Sequence, residues 1–259
     1  MELDLKGKNA IVTGGSHGIG RSIALALAEE GCNVAICARN KERLEKVVNE
    51  IKEKGVKSIG VPADVLIASN IKKVMKKVIN KWKTVHILVN NVGGGGRWGS
   101  DKVEETDESV WTDVYNKNVG AASRFTTLAI PYMRKQKWGR VITISSICGR
   151  EVDGRPWFIT AKHGEVALMK SFARLSYLAR DRLTFNSICP GAIMIQGSGW
   201  DLEKKKNPKK FKKFKSELPL GRLGTPEEVA NVVLFLCSNK ASLVNGASII
   251  VDGGESKAI

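Results

Sequence analysis

Long apolar runs are missing from this chain. Of its 259 residues 42% are hydrophobic, yet no stretch approaches the roughly 18 consecutive apolar residues of a membrane span, and no membrane partner is expected. The opening segment MELDLKGKNAIVTGG lacks the charged-then-apolar pattern of a secretory leader and runs straight into an apolar, β-branched stretch. A cytoplasmic location follows as the expectation. Cysteines are few. Cys32, Cys37, Cys148, Cys189 and Cys237 are scattered, odd in number and never spaced C-x-x-C, which fits reduced core residues rather than zinc ligands or disulfides; no metal is expected. Tyrosine is scarcer still, with only three. Internal repeats and interdomain linkers are absent, and the length suits one sizeable core. Residues 1–259 are therefore expected to form a single domain.

What is abundant is positive charge: 42 Lys and Arg against 26 Asp and Glu give a formal +16. Two tracts dominate, IKKVMKKVINKWK (71–83) and EKKKNPKKFKKFK (203–215). In the first, Ile71, Val74, Met75, Val78 and Ile79 recur at helical intervals, which leaves the lysines on the solvent side of an amphipathic helix. The chain carries no recognised RNA or DNA motif, and nucleic acid is not expected as a partner.

Apolar strand candidates alternate with helical patterns throughout. The strands read NAIVTG (9–14), NVAICA (33–38), SIGVPA (58–63), HILVNN (86–91), RVITISS (140–146), LTFNSICP (183–190) and ASIIVDG (247–253). Helical segments include 21–30, 41–54 and 227–237, the last opened by a Thr225-Pro226-Glu227-Glu228 start signal. Continuous apolar strands separated by helices predict an α/β fold: a single-domain, doubly wound, Rossmann-type parallel sheet flanked by helices. Ligands in such a sheet bind beyond the carboxyl ends of the strands.

The first strand-to-helix junction, TGGSHGIG (13–20), has the composition of a phosphate cradle. Gly14, Gly18 and Gly20, interleaved with Ser16, His17 and Ile19, allow close backbone approach to a pyrophosphate, and the helix N-terminus supplies N–H donors. After the second strand comes Cys37-Ala38-Arg39-Asn40, with no acid to hold the ribose hydroxyls. Arg39, with Asn40 beside it and His17 nearby, suits a 2′-phosphate, so NADP(H) is favoured over NAD(H). The alternative is that Arg39 merely solvates a helix start.

The GxxxGxG spacing of that loop, with NNVGG (90–94), ISS (144–146), the lysine of AKHG (161–164) and PGAI (190–193), resembles the short-chain dehydrogenase/reductase family. The likeness runs the whole chain, through PLGRLGTPEEVA (219–230) and VDGG (251–254), and is similar to the 3-oxoacyl-carrier-protein reductase-like branch. It implies adenine contacts from Asp64 and Val65, ribose contacts from Asn91, Val92 and Gly93, and nicotinamide contacts from Pro190, Gly191 and Ile193. It also implies a homo-oligomer, usually a tetramer, acting on a small-molecule carbonyl or alcohol, and a substrate-covering segment at about 192–222. Trp200, Phe211 and Phe214 offer that segment apolar anchors, and its lysines would suit an anionic substrate handle or simply a solvated surface.

For catalysis the resemblance implies a serine that polarises the carbonyl, a tyrosine that gives the proton, a lysine four residues later that tunes it and holds the ribose, and an asparagine that positions a water. Ser146, Lys162 and Asn118 match; Ser145 is expected on the opposite strand face. The tyrosine position is Phe158, which has no proton to give. Three replacements are open. Tyr115 precedes Asn118 by three residues on an expected common helix face, whereas Tyr132 lies too far beyond Asn118 on its helix and Tyr177 too far along the helix expected to carry Phe158. Glu151 and Asp153 lie in the loop before Phe158. Lys162 could act through a water. The expected function is an NADP(H)-dependent oxidoreductase with impaired activity; the alternative is a non-catalytic NADP(H)-binding homologue that serves as a partner or regulatory subunit.

Overall fold

In the computed structural model, which describes residues 2–258, seven parallel strands form one sheet in the order β3-β2-β1-β4-β5-β6-β7. They are β1 (Asn9–Thr13), β2 (Asn33–Ala38), β3 (Ser58–Pro62), β4 (Ile87–Asn90), β5 (Gly139–Ile144), β6 (Leu183–Pro190) and β7 (Ser248–Val251). Every expected strand is present, with ends shifted by at most two residues. The helices are α1 (Gly18–Glu29), α2 (Lys41–Glu53), α3 (Ala68–Trp82), α4 (Glu108–Tyr115), α5 (Ala121–Lys135), α6 (Pro156–Ala173), α7 (Ser176–Arg180), α8 (Gly199–Lys206), α9 (Pro208–Glu217) and α10 (Pro226–Cys237).

Alternation along each strand divides the core into two layers. Ala10 and Val12 of β1 pack with α1, α2 and α10 on one face, while Ile11 packs with α3, α5 and α6 on the other. Both faces are covered, which is why the strands read as unbroken apolar runs. The lysines of α3 lie outside its buried stripe of Ile71, Val74, Met75 and Val78, as expected. All five cysteines are free, and burial pushes the Cys32 and Cys37 thiols up to about 12.

Local signals set the helix starts. Thr225 and Glu228 form a reciprocal capping box at α10, and Asn40 caps α2 by accepting from the Arg43 N–H at 2.8 Å. One helical expectation needs correction: Tyr177 is not on the Phe158 helix. Leu175 adopts an extended conformation after α6 ends, so Tyr177 belongs to the short α7. Chain order reverses between β1 and β4, and the crevice this leaves beyond their carboxyl ends is where the fold places a ligand.

Candidate active site

Two adjoining cavities, of about 750 Å³ and 310 Å³, open at that crevice and share Asn91 and Gly93 in their walls. The larger is bounded by Gly14, Ser16 and His17, by Arg39 and Asn40, by Asp64 and Val65, and by Asn91, Val92 and Gly93. The glycines are there for space. Gly14 and Gly18 have φ of +66° and +54°, and a Cβ on Gly20 would come within 2.4 Å of the Gly14 carbonyl oxygen. Gly20 therefore supports the loop from behind, and Gly14 presents bare backbone at the N-terminus of α1. Asn91 ties β4 to the loop, donating from Nδ2 to the Thr13 carbonyl at 2.9 Å.

Arg43, Trp98 and Lys117 also line the larger cavity and were not expected from the sequence. Lys117 Nζ lies 4.5 Å from the centre of the Trp98 ring. Burial, and then the charge of Arg39, hold Lys117 below the ordinary lysine range. Arg39, Arg43 and Lys117 form no ion pair among the described residues. An anion placed among them would meet cations with no competing carboxylate bound to them. Asp64 stands in the same wall, where its Oδ1 accepts from the Leu66 N–H at 3.0 Å and its charge offsets part of the lowering at Lys117. These features fit an NADP(H) molecule with its pyrophosphate on the glycine loop and its 2′-phosphate beside Arg39.

The smaller cavity is bounded by Ile19, Ser145, Ser146, Phe158, Lys162, Pro190, Gly191 and Ile193. Ser146 follows β5 and accepts from the Cys148 N–H at 3.2 Å. Ser145 turns its hydroxyl to the Lys162 carbonyl at 2.9 Å, so it is engaged with α6. Lys162 is only 3% exposed, and its Nζ stands 5.7 Å from the centre of the Phe158 ring. The same ring lies against Gly96, where a Cβ would come within 3.2 Å of Cδ1.

Asn118 sits in a single π turn, Asn116–Gly120, inserted between α4 and α5. Such turns are frequent at functional sites. Its side chain is fully buried and donates to the Gly94 and Val114 carbonyls at 2.9 and 2.7 Å, while Oδ1 accepts from Gly94 N–H at 3.1 Å. Asn118 thus fixes the β4–α4 loop, and Lys162 Nζ approaches the same glycine corner from the α6 side.

The structure does not bring the alternative acids into the site. The π turn breaks the common helix face expected for Tyr115 and Asn118, and Tyr115 is 56% exposed, away from both cavities. Glu151 accepts from the Lys257 and Ala258 N–H groups near the C-terminus. Asp153 lines neither cavity. Of the three replacements for the phenol, only Lys162 borders the space beside Phe158.

Helix α8 borders the smaller cavity, and α9 packs against α8. Trp200 forms part of its wall and stacks on Phe214 at 4.1 Å between ring centres. Phe211 is buried with Ala192, Leu218 and Leu223 beneath them. The lysines of 203–215 line neither cavity. Three of them bond acids of the same segment, Lys205 to Asp201, Lys210 to Glu203 and Lys213 to Glu217, which fits a solvated outer face rather than a handle inside the pocket.

Known proteins resemble this chain along nearly its whole length. Residues 14–256 match a family model described as Enoyl-(Acyl carrier protein) reductase. The chain is 37% identical over 249 residues to the 3-oxoacyl-acyl-carrier-protein reductase FabG of Staphylococcus aureus, covering 95% of this chain and 97% of that one. It is 38% identical over 256 residues to the corresponding reductase of Aquifex aeolicus, covering 98% and 99%. L-sorbose reductase from Gluconobacter frateurii, solved with NADPH and L-sorbose, superposes with a TM-score of 0.90 at 31% identity over 100% of both chains. With its sheet order, its glycine loop and these relatives, the chain belongs to the short-chain dehydrogenase/reductase family.

Proposed function

We propose that the protein is an NADP(H)-dependent oxidoreductase that interconverts a carbonyl and a secondary alcohol on a small-molecule substrate. The observation that carries this reading is the continuous cleft: unpaired cations at one end, and Ser146 and Lys162 at the other. Reductases among the relatives, one of them solved with NADPH, support the cofactor and the reaction class. When bound, the reduced nicotinamide supplies hydride to the carbonyl carbon.

The chain's own residues do the rest. The Ser146 hydroxyl donates to the carbonyl oxygen and stabilises the charge that grows there. Phe158 fills the place of the expected tyrosine and shields Lys162 without offering a proton. Lys162, buried beside that ring, is the proton source, acting through a water, and Asn118 holds the loop against which the cofactor rests. Segment 192–222 covers the substrate, with Trp200 as its apolar contact. The candidate substrates are small ketones and 3-oxoacyl thioesters, and the working assembly is a cytoplasmic homotetramer.

The test is isotopic. The full-length chain is incubated with NADPH deuterated at its transferable position and a panel of ketones and 3-oxoacyl thioesters. Deuterium on the carbinol carbon of a product supports the reading. Tight NADPH binding with no label transferred to any carbonyl would favour the non-catalytic partner instead.

A further inference from the structure

Lys162 does not stand alone. One turn along α6, Glu165 is 1% exposed, and its Oε2 accepts from Lys162 Nζ at 2.9 Å. Among the described residues the ammonium's other hydrogen bond is to the Ile144 carbonyl at 3.4 Å. Burial raises the Glu165 carboxyl above the usual carboxylate range, and the charge and hydrogen bond of Lys162 offset only part of that rise. Of the other ionisable groups around the pair, Lys117 on the π turn and Cys189 on β6 sense the Lys162 charge, and neither hydrogen-bonds to it.

A buried ion pair is costly to desolvate and is weak ground for stability. It does have an electrostatic consequence. An ammonium lowers a neighbouring phenol's pKa only to the extent that its charge is not cancelled. Here a carboxylate at 2.9 Å opposes the Lys162 field at the Phe158 ring, 5.7 Å from the ammonium. A lysine opposed in this way is poorly placed to tune a phenol, and this site has none. The two features belong together.

We propose that Glu165 is the positioning residue for Lys162: its carboxylate fixes the ammonium in place and offsets its field at the Phe158 ring, and the ammonium so held gives the product oxygen its proton through water. This rests on the carbonyl-reductase reading. In the proton transfer, an O–H bond forms at the product oxygen as the water's breaks. The water regains its proton from the Lys162 N–H, and solvent reprotonates the amine after turnover. Glu165 stays ionised throughout.

The test has one readout that needs no turnover. In full-length F158Y and F158Y/E165Q, the introduced phenol is titrated by tyrosinate absorbance against the wild-type background of three tyrosines. Freed of its carboxylate, Lys162 should raise the phenol's ionisation constant by roughly tenfold or more. A change of less than about twofold overturns the proposal. Should F158Y/E165Q not fold, F158Y/E165D, which withdraws the carboxylate by one methylene, is titrated instead; a smaller shift of the same sign is expected, and none overturns the proposal.

The second readout is kcat across pH. E165Q should lose about tenfold or more in the wild-type background and alter the pH profile, with partial rescue by E165D. In the F158Y background the same change should cost nothing or give a gain. Equal losses in both backgrounds would mean a structural role and overturn the proposal. If no variant reduces any carbonyl, the reductase reading fails, and the phenol titration still decides the role of Glu165.

Discussion

Removing the Arg39 guanidinium should separate the two nicotinamide cofactors. Arg39 is exposed at the edge of the larger cavity, directly after β2, and has no ion-pair partner among the described residues. No side-chain acid follows it that would prefer a free ribose; the next residue, Asn40, has its oxygen engaged in capping α2. A hydrogen bond between charged groups contributes about 1.5–3 kcal/mol, which corresponds to roughly 10- to 150-fold in affinity. Arg43 and Lys117 stay in place and share the anion, so R39A should fall toward the lower end of that range and R39A/R43A toward the upper. NADPH and NADH are titrated by cofactor fluorescence at one fixed ionic strength. NADPH affinity should drop while NADH affinity changes by less than about twofold, and raising salt should erode the wild-type preference. Equal weakening of both cofactors by R39A would refute the assignment of this corner to a 2′-phosphate.

Three further outcomes follow from particular contacts. In G20A the new Cβ would lie 2.4 Å from the Gly14 carbonyl oxygen, so the loop must shift, and NADPH binding should weaken by about tenfold or more by fluorescence titration; unchanged affinity would contradict the cradle. W200A removes the ring stacked on Phe214 from the wall of the smaller cavity, and steady-state kinetics should show KM rising more than kcat falls. His86 is held near 4, below its ordinary 6.5, first by burial and then by the Lys8 charge, with its Nδ1 accepting from the Asn9 N–H. The folded state therefore resists protonation while the unfolded state accepts it, so stability falls as pH drops from about 6.5 through about 4. Urea unfolding should show this acid sensitivity reduced in H86N, and an unchanged pH slope would argue against it.

The sheet was legible because both faces are covered: runs such as Asn33–Ala38 and Leu183–Pro190 coincide with the strands residue for residue. Most of the cleft was legible too, since parallel strands deliver their C-terminal residues to one edge and the glycine loop marks which edge. What escaped was produced by departures from regular helix geometry and by burial. A π turn leaves no mark in a periodicity of 3.6, so Tyr115 was expected on the Asn118 face, and Lys117 was passed over although it adjoins Asn118. Trp98 reaches the cavity from an irregular glycine-rich loop with no period to read. Glu165 was hidden differently: α6 is buried on several sides, with Trp157, Ile159, Ala161, Lys162 and Met169 all inside. On such a helix an acid three residues from a lysine resembles an ordinary surface pair until its burial is known.

The most direct test of the account is NADPH oxidation over ketones and 3-oxoacyl thioesters, measured side by side for the unmodified chain, K162M and F158Y, each first shown to bind NADPH. The account predicts that the unmodified chain turns over at least one carbonyl, and that K162M loses about 10²–10⁴ of that rate. Turnover by F158Y with none by the unmodified chain would contradict it, because the lysine would then be serving a phenol that this protein does not have.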